Sequence, residues 1–425
     1  MINSSKAVNS YSIDSNHMCV TLKKNIFLFL DSMGEWKKRS NFFGARSQIM
    51  SDYIEVDSVT QLLGVVAEPG NIDHHVFQNI DFSELADLAE QCRFSNCLFL
   101  GCELPENFAN TLDKSNLIFP RLESPFDMYR GHLYSANSLY DEFDPDNEDS
   151  LNDCFDHIVY EHYRQKGAYG ADIKETLSRY LHDHSMSSAI KDFLSRFHER
   201  QIVGIMGGHD LLRTDPMYRQ IVLLSKKLTE TGFIMVSGGG AGAMEATHLG
   251  AWLAERTDEE VEEALEILME SPSWQDRGWL SSAFKVIRRF RQTHFISLGV
   301  PTWLYGHEPA TPFATHIAKF FDNSIREDTL LNITRGGLIY TPGSAGTVQE
   351  IFQAAVPNHY LTYGHSSLMI FLGEKFWREE MPVYRLLEHL CQTGKYQGLR
   401  ISITDDIMEV VRTVKGFRPL AKDNN

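Results

Sequence analysis

From Ile202 onward, short apolar runs alternate with segments of helical period. "IVGIMGGHD" opens this part as a buried strand ending in glycines. Tyr218 to Thr231 follows with helical spacing and stops at Gly232. "FIMVSGGGAGAMEATHLGA" carries a second strand through glycines into a helix, and "FISLGVPT", "GGLIYTPG" and "LMIFLG" (368 to 373) supply three more strands. Near-continuous apolar strands separated by helices predict a parallel sheet covered on both faces. Residues 196 to 425 are therefore expected to form a Rossmann-like, doubly wound α/β domain. Its ligands should bind beyond the C-terminal strand ends.

Residues 1 to 195 pattern differently and are expected to form a separate α/β or α+β domain. Strand-like runs lie at Ile26 to Leu30 and near Leu62 to Val66. Between Asp81 and Pro105 a five-residue rhythm sets Cys92, Cys97 and Cys102 in one register and Phe94, Phe99 and Leu104 in another, as in a pentapeptide-type β-solenoid. With no CxxC pair and no clustered histidine, these cysteines read as buried structural residues. Residues 141 to 156 (DEFDPDNEDSLNDCFD) read as an acidic linker, with spacing unlike a calcium loop. An amphipathic helix is expected over Asp172 to Phe197; His182 and His184 fall on different faces of it and read as packing or surface residues. Within the second domain, residues 255 to 294 form a helical insertion that starts acidic and ends basic.

Charge narrows the choice of partner. The 425 residues carry a formal net charge of −17, with 43% hydrophobic and 23% charged positions. That balance disfavours a nucleic-acid polymer or an anionic membrane as partner, yet leaves room for a small anion held by backbone N–H groups. No apolar run approaches the roughly 18 residues of a bilayer span, and the N-terminus lacks the pattern of a signal peptide. With six cysteines in so long a chain, reduced thiols and a cytoplasmic location are expected.

Two glycine-rich turns carry the candidate chemistry. "SGGGAGAMEA" (237 to 246) and "TPGSAGTVQE" (341 to 350) each follow an apolar strand and precede a helix. Unpaired N–H groups and the positive end of the helix dipole favour an anion there, and the Thr347 hydroxyl can cap the helix or bond a phosphate oxygen. Glu350 stands one turn into the second helix. With a phosphate on the glycines, it lies within reach of the attached sugar. Gly238, Gly240 and Ala243 satisfy a loose dinucleotide pattern, but the turn follows the second strand, and no strand ending in an acid comes about twenty residues later. His209 and Asp210, after the first strand, are expected to rim the pocket.

"SGGGAGAMEATHLGA" and "PGSAGTVQE" together resemble the paired signature of the Lonely-guy family, GGGxxGxM-E and PGGxGTxxE. The likeness covers roughly residues 200 to 415, and larger bacterial relatives, the nucleotide 5′-monophosphate nucleosidases, add flanking domains. It implies a phosphoribohydrolase that cuts nucleoside 5′-monophosphates into free base and ribose 5-phosphate, with no cofactor and no metal. It also implies a homo-oligomer of at least two chains. The family's acid falls on Glu350 and its phosphate loop on Gly343, Ser344, Gly346 and Thr347. Its first loop falls on Gly239, Gly240, Gly242, Met244 and Glu245. The family arginine falls on Arg326 after a one-residue shift, with Lys319 and Arg335 as alternative cations. Ser344 replaces a family glycine, which leaves open a non-hydrolytic nucleotide sensor using the same pocket. A pyridoxal-phosphate decarboxylase is disfavoured, since no lysine stands in a fitting context.

Overall fold

The computed structural model describes residues 53 to 169, 172 to 291, 294 to 305 and 308 to 418. The run at Ile26 to Leu30 lies outside them. Residues 54 to 119 carry six short strands: β1 (Ile54–Val56), β2 (Asn71–Asp73), β3 (His75–Gln78), β4 (Arg93–Ser95), β5 (Leu98–Leu100) and β6 (Leu117–Phe119). They pair in parallel as β1-β3-β5-β6 and β2-β4. Val76 pairs with Leu98 and Leu98 with Leu117, so each coil of about 20 residues stacks on the next, as in a solenoid.

The five-residue rhythm has a physical cause: Ile72, Phe77, Phe82, Phe94 and Phe99 all turn into one core. Phe77 stacks on Phe99 with ring centroids 5.1 Å apart, and Phe82 stacks on Phe108 at the same distance. Cys92 and Cys97 are buried and Cys102 is half-buried. The Cys97 thiol donates to the Ile72 carbonyl (3.4 Å) and the Cys102 thiol to that of Phe77 (3.3 Å). Burial pushes both thiols up, Cys102 to about 11. One expectation fails here. Leu62 to Val66 is not a strand but part of helix α1 (Val59–Val66), whose N-cap Ser58 accepts from the Gln61 N–H. Leu62 and Val66, four apart, are its buried face.

The second sheet has seven parallel strands: β7 (Ile202–Met206), β8 (Ile234–Ser237), β9 (Ser297–Gly299), β10 (His316–Ile317), β11 (Gly337–Tyr340), β12 (Leu368–Leu372) and β13 (Arg400–Thr404). Their order is β10-β9-β8-β7-β11-β12-β13. Strand residues alternate between two cores. Ile202, Met206, Leu338, Tyr340, Met369 and Phe371 enter one, while Val203, Ile205, Ile339, Leu368, Ile370 and Leu372 enter the other. Helices α2 (Phe155–Lys166) and α3 (Ile173–Leu194) contribute Val159, Tyr163, Met186, Ile190 and Phe193 to the first core. Helices α4 (Pro216–Glu230), α5 (Ala243–Trp252), α6 (Asp258–Met269) and α7 (Trp279–Arg289) supply the second. Helices α8 (Asn323–Ile333), α9 (Ala345–Tyr360) and α10 (Val383–Gln392) return to the first, and α11 (Ile407–Gly416) closes the second. This is a doubly wound α/β fold.

Residues 126 to 193 thus share a core with the sheet. The acidic stretch 141 to 156 is anchored at its end: fully buried Asp156 accepts from Lys319 Nζ (2.6 Å) and Trp303 Nε1 (2.9 Å). His182 is buried against the Tyr134 hydroxyl (2.9 Å), and His184 is exposed. Among the described residues no helix is long and apolar enough to cross a membrane.

Candidate functional site

Strand order reverses between β7 and β11. The chain leaves β7 toward β8, β9 and β10, then returns to the other flank of β7 as β11. Such a switch point leaves a crevice outside the carboxyl ends of the strands. Here it is a cleft of about 440 Å³, within the range of small-molecule sites. Gly207, Gly208 and His209 after β7 line it between the two flanking strands. The turn after β8 (Gly238, Gly240, Met244) and the turn after β11 (Ser344, Gly346, Thr347) form facing walls.

The turn after β11 leads directly into α9. Its N-cap Ser344 makes no side-chain cap, and the first helical N–H groups, those of Ala345, Gly346 and Thr347, have no acceptor within the helix. All four residues line the cleft. Gly343 does not: it lies beneath the Thr347 side chain, which a Cβ at that position would overlap.

The turn after β8 is held from below. The Gly239 N–H donates to Ser237 Oγ (3.1 Å), and His248 bridges Ser237 Oγ (2.9 Å) and Ser297 Oγ (2.9 Å). Burial pushes His248 down to about 3, so the bridge stays neutral. Gly242 has φ +62, and a Cβ on it would strike the carbonyls of Gly208 and His209. Neither Gly239 nor Gly242 lines the cleft. Glu245 also points elsewhere: fully buried, it receives Arg213 Nε (2.9 Å) and NH2 (2.5 Å) and the Tyr218 hydroxyl (2.8 Å). These three contacts, not its place in the helix, turn Glu245 into the core behind the turn and away from the cleft.

Glu350, from α9, and Arg326 and Glu327, from α8, meet in the cleft. Arg326 Nε and NH2 donate to Asn323 Oδ1 (3.0 and 2.7 Å), and NH2 also pairs with Glu327 Oε1. Glu327 is 3% exposed, and its Oε2 has no hydrogen-bond partner among the described residues. Burial, reinforced by the charge of Glu327 and opposed by Arg326, pushes the Glu350 carboxyl up to about 8. Burial also raises Glu327, against the pull of Arg326. His209 lies at the rim, paired with exposed Asp210 (3.1 Å). The alternative cations are elsewhere: Lys319 binds Asp156, and Arg335 lies over the Tyr363 ring, 3.3 Å from its centroid.

Trp274, Tyr305, Glu308 and Glu327 also line the cleft. Sequence reasoning missed them. Glu327 was within reach as the neighbour of Arg326, but Tyr305 and Glu308 each lie outside any strand or helix, with no period to read. Trp274 comes from the insertion, between α6 and α7.

No family model and no curated protein matches the chain by sequence. Among the solved structures that align with it, three cover about half of the chain. The molybdenum cofactor binding protein from Rippkaea orientalis is 13% identical, covering 50% of this chain and 96% of its own, with a TM-score of 0.33. The molybdenum cofactor carrier protein from Chlamydomonas reinhardtii is 16% identical, covering 50% and 95%, at 0.31. The structural-genomics target TM1055 is 17% identical, covering 51% and 99%, at 0.34. Likeness at this level assigns no activity, and the functional reading rests on the cleft itself.

Proposed function

We propose that the cleft binds a nucleoside 5′-monophosphate and hydrolyses its N-glycosidic bond, releasing free base and ribose 5-phosphate. One observation carries this reading: the uncapped start of α9 and the buried Glu350 lie in one cleft, on one helix. From Gly346 to Glu350 the helix rises by roughly 6 Å. A phosphate on the first-turn N–H groups therefore brings its ribose alongside the carboxyl.

Bond cleavage develops positive charge at C1′. A water oxygen bonds to C1′ while the C1′–N bond breaks and its electron pair stays on the base nitrogen. Glu350 takes the water proton and passes it to the departing base. A carboxyl held near neutral pH suits both transfers. Arg326, fixed by Asn323 and Glu327, supplies a cation beside the phosphate or ribose. The remote phosphate supplies binding energy that positions the reacting carbon.

The test is a panel of nucleoside 5′-monophosphates, with free base followed chromatographically. Base release by wild type and its loss in Glu350→Gln are expected; release at equal rates by both would overturn the mechanism. A second reading, a sensor that binds without hydrolysis, draws on the raised Glu350 carboxyl, which is largely protonated at pH 7. The same panel would then give a melting shift and no base.

A further inference from the structure

The two glycine turns are alike in sequence but not in what meets them. At the turn after β8, the chain supplies an anion of its own. Glu308 Oε1 accepts from the Ala241 N–H (3.2 Å), and the carboxylate lies so close over Gly240 that any Cβ there would overlap it. This is where the N–H groups before α5 would otherwise receive a phosphate.

The placement is built into the fold. The segment that bears Glu308 is tied to the same turn a second time, by Thr311 N–H to the Gly239 carbonyl (2.8 Å). It is tied to the body of the protein by the Tyr140 hydroxyl, which donates to the Ala310 carbonyl (2.5 Å). The receiving turn is fixed in its turn by Ser237 and His248. Glu308 also lines the cleft, so its carboxylate faces whatever is bound there.

We infer that Glu308 is a specificity-determining residue: it refuses a second phosphate at the first glycine turn and accepts hydrogen bonds from the ribose hydroxyls instead. The inference rests on the nucleotide reading above. The two turns follow β8 and β11, which flank β7, so they stand two strand spacings apart, roughly 10 Å. A 5′-phosphate on Ser344 to Thr347 thus directs the 2′ and 3′ positions of its ribose toward the wall that carries Glu308. A hydroxyl there donates to the carboxylate. A phosphate there meets a fixed negative charge, and the Ala241 N–H it would use is already engaged.

The experiment compares three ligands: a ribonucleoside 5′-monophosphate, its 2′-deoxy counterpart and the corresponding 3′,5′-bisphosphate. Each is titrated calorimetrically into three proteins that all carry Glu350→Gln, so that nothing is hydrolysed during the titration: one wild type at position 308, one Glu308→Gln and one Glu308→Ala. The protein with Glu308 should bind the ribonucleotide about tenfold or more tightly than either other ligand, the worth of one hydrogen bond to a charged group. Glu308→Ala should close the ribose-over-deoxyribose gap. Glu308→Gln, which keeps the shape and removes the charge, should admit the bisphosphate. Ligand preferences unchanged in both variants would overturn the role of Glu308 while leaving the nucleotide reading intact. The protein with Glu308 binding none of the three would instead overturn the nucleotide reading itself.

Discussion

Arg213→Met removes the hub that ties the 255 to 294 insertion to the sheet. Arg213 is 3% exposed and makes a two-pronged pair with Glu245. It also donates to the carbonyls of Leu268 (3.3 Å), Ser271 (3.1 Å) and Trp279 (3.1 Å) and to Ser282 Oγ (2.8 Å). Removing one partner of a buried pair leaves the other charge uncompensated, at a cost of about 3–5 kcal/mol. At about 2–4 °C per kcal/mol for a domain of this size, the melting temperature should fall by roughly 6–20 °C. Adding Glu245→Met removes the stranded carboxylate, so the double variant should melt above the single one. Calorimetric melting or urea unfolding of the four proteins gives the cycle. The reasoning is refuted if the single variant lies within about 1 kcal/mol of wild type, or if the second substitution lowers stability further. Trp274 lies between the carbonyls that Arg213 holds, so the single variant should also show a smaller melting shift with nucleotide.

Glu350→Gln should retain nucleotide binding and lose base release by about 10²–10⁴, as single-turnover assays would measure. In wild type, kcat/KM should rise with pH and level off above about 8, where Glu350 has lost its proton. Stability runs the other way. The folded carboxyl lies above its ordinary value of 4.5, so its contribution is complete below that pH and is lost as pH rises through about 8. Urea unfolding from pH 5 to 9 should therefore show Glu350→Gln gaining on wild type. A Cβ at Gly346 meets nothing within 4 Å, so Gly346→Val should fold normally, yet lose the melting shift that nucleoside 5′-monophosphates give to wild type. Phe99→Ala, which empties the middle of the solenoid's ring stack, should cost about 3–5 kcal/mol, read by unfolding of the full chain.

The parts of the fold that were legible share one property, an uninterrupted apolar period. β7, β8, β11 and β12 are buried along their whole length and stand out in the sequence. β10 is two residues long and β13 lies half-buried at the sheet edge, so neither leaves a run to read. Leu62 to Val66 shows the opposite failure: a short apolar run fits strand and helix equally, and Ser58 at its head decided for helix. At the site, the start of α9 and Glu350 were visible because one turn and one helix hold both. Glu308 was not, since its partner Ala241 is 67 positions away and only the closed fold brings them together. Glu245 was visible as a motif residue, but no local pattern names Arg213, the residue that turns it inward.

The solenoid sets different rules for inserting and deleting residues along the N-terminal part. Its strands are locked by ring stacks that join one coil to the next, whereas the corners hold short helical turns at Ser83–Ala89 and Glu106–Ala109. A residue gained or lost at a corner changes only the size of a bend. The same change inside β3 or β5 carries Phe77 or Phe99 to the opposite face and leaves its stacking partner facing an empty core. Natural variation in length should therefore gather at the corners, and a designer who wishes to lengthen this part can add a whole coil there without disturbing the coils already in place.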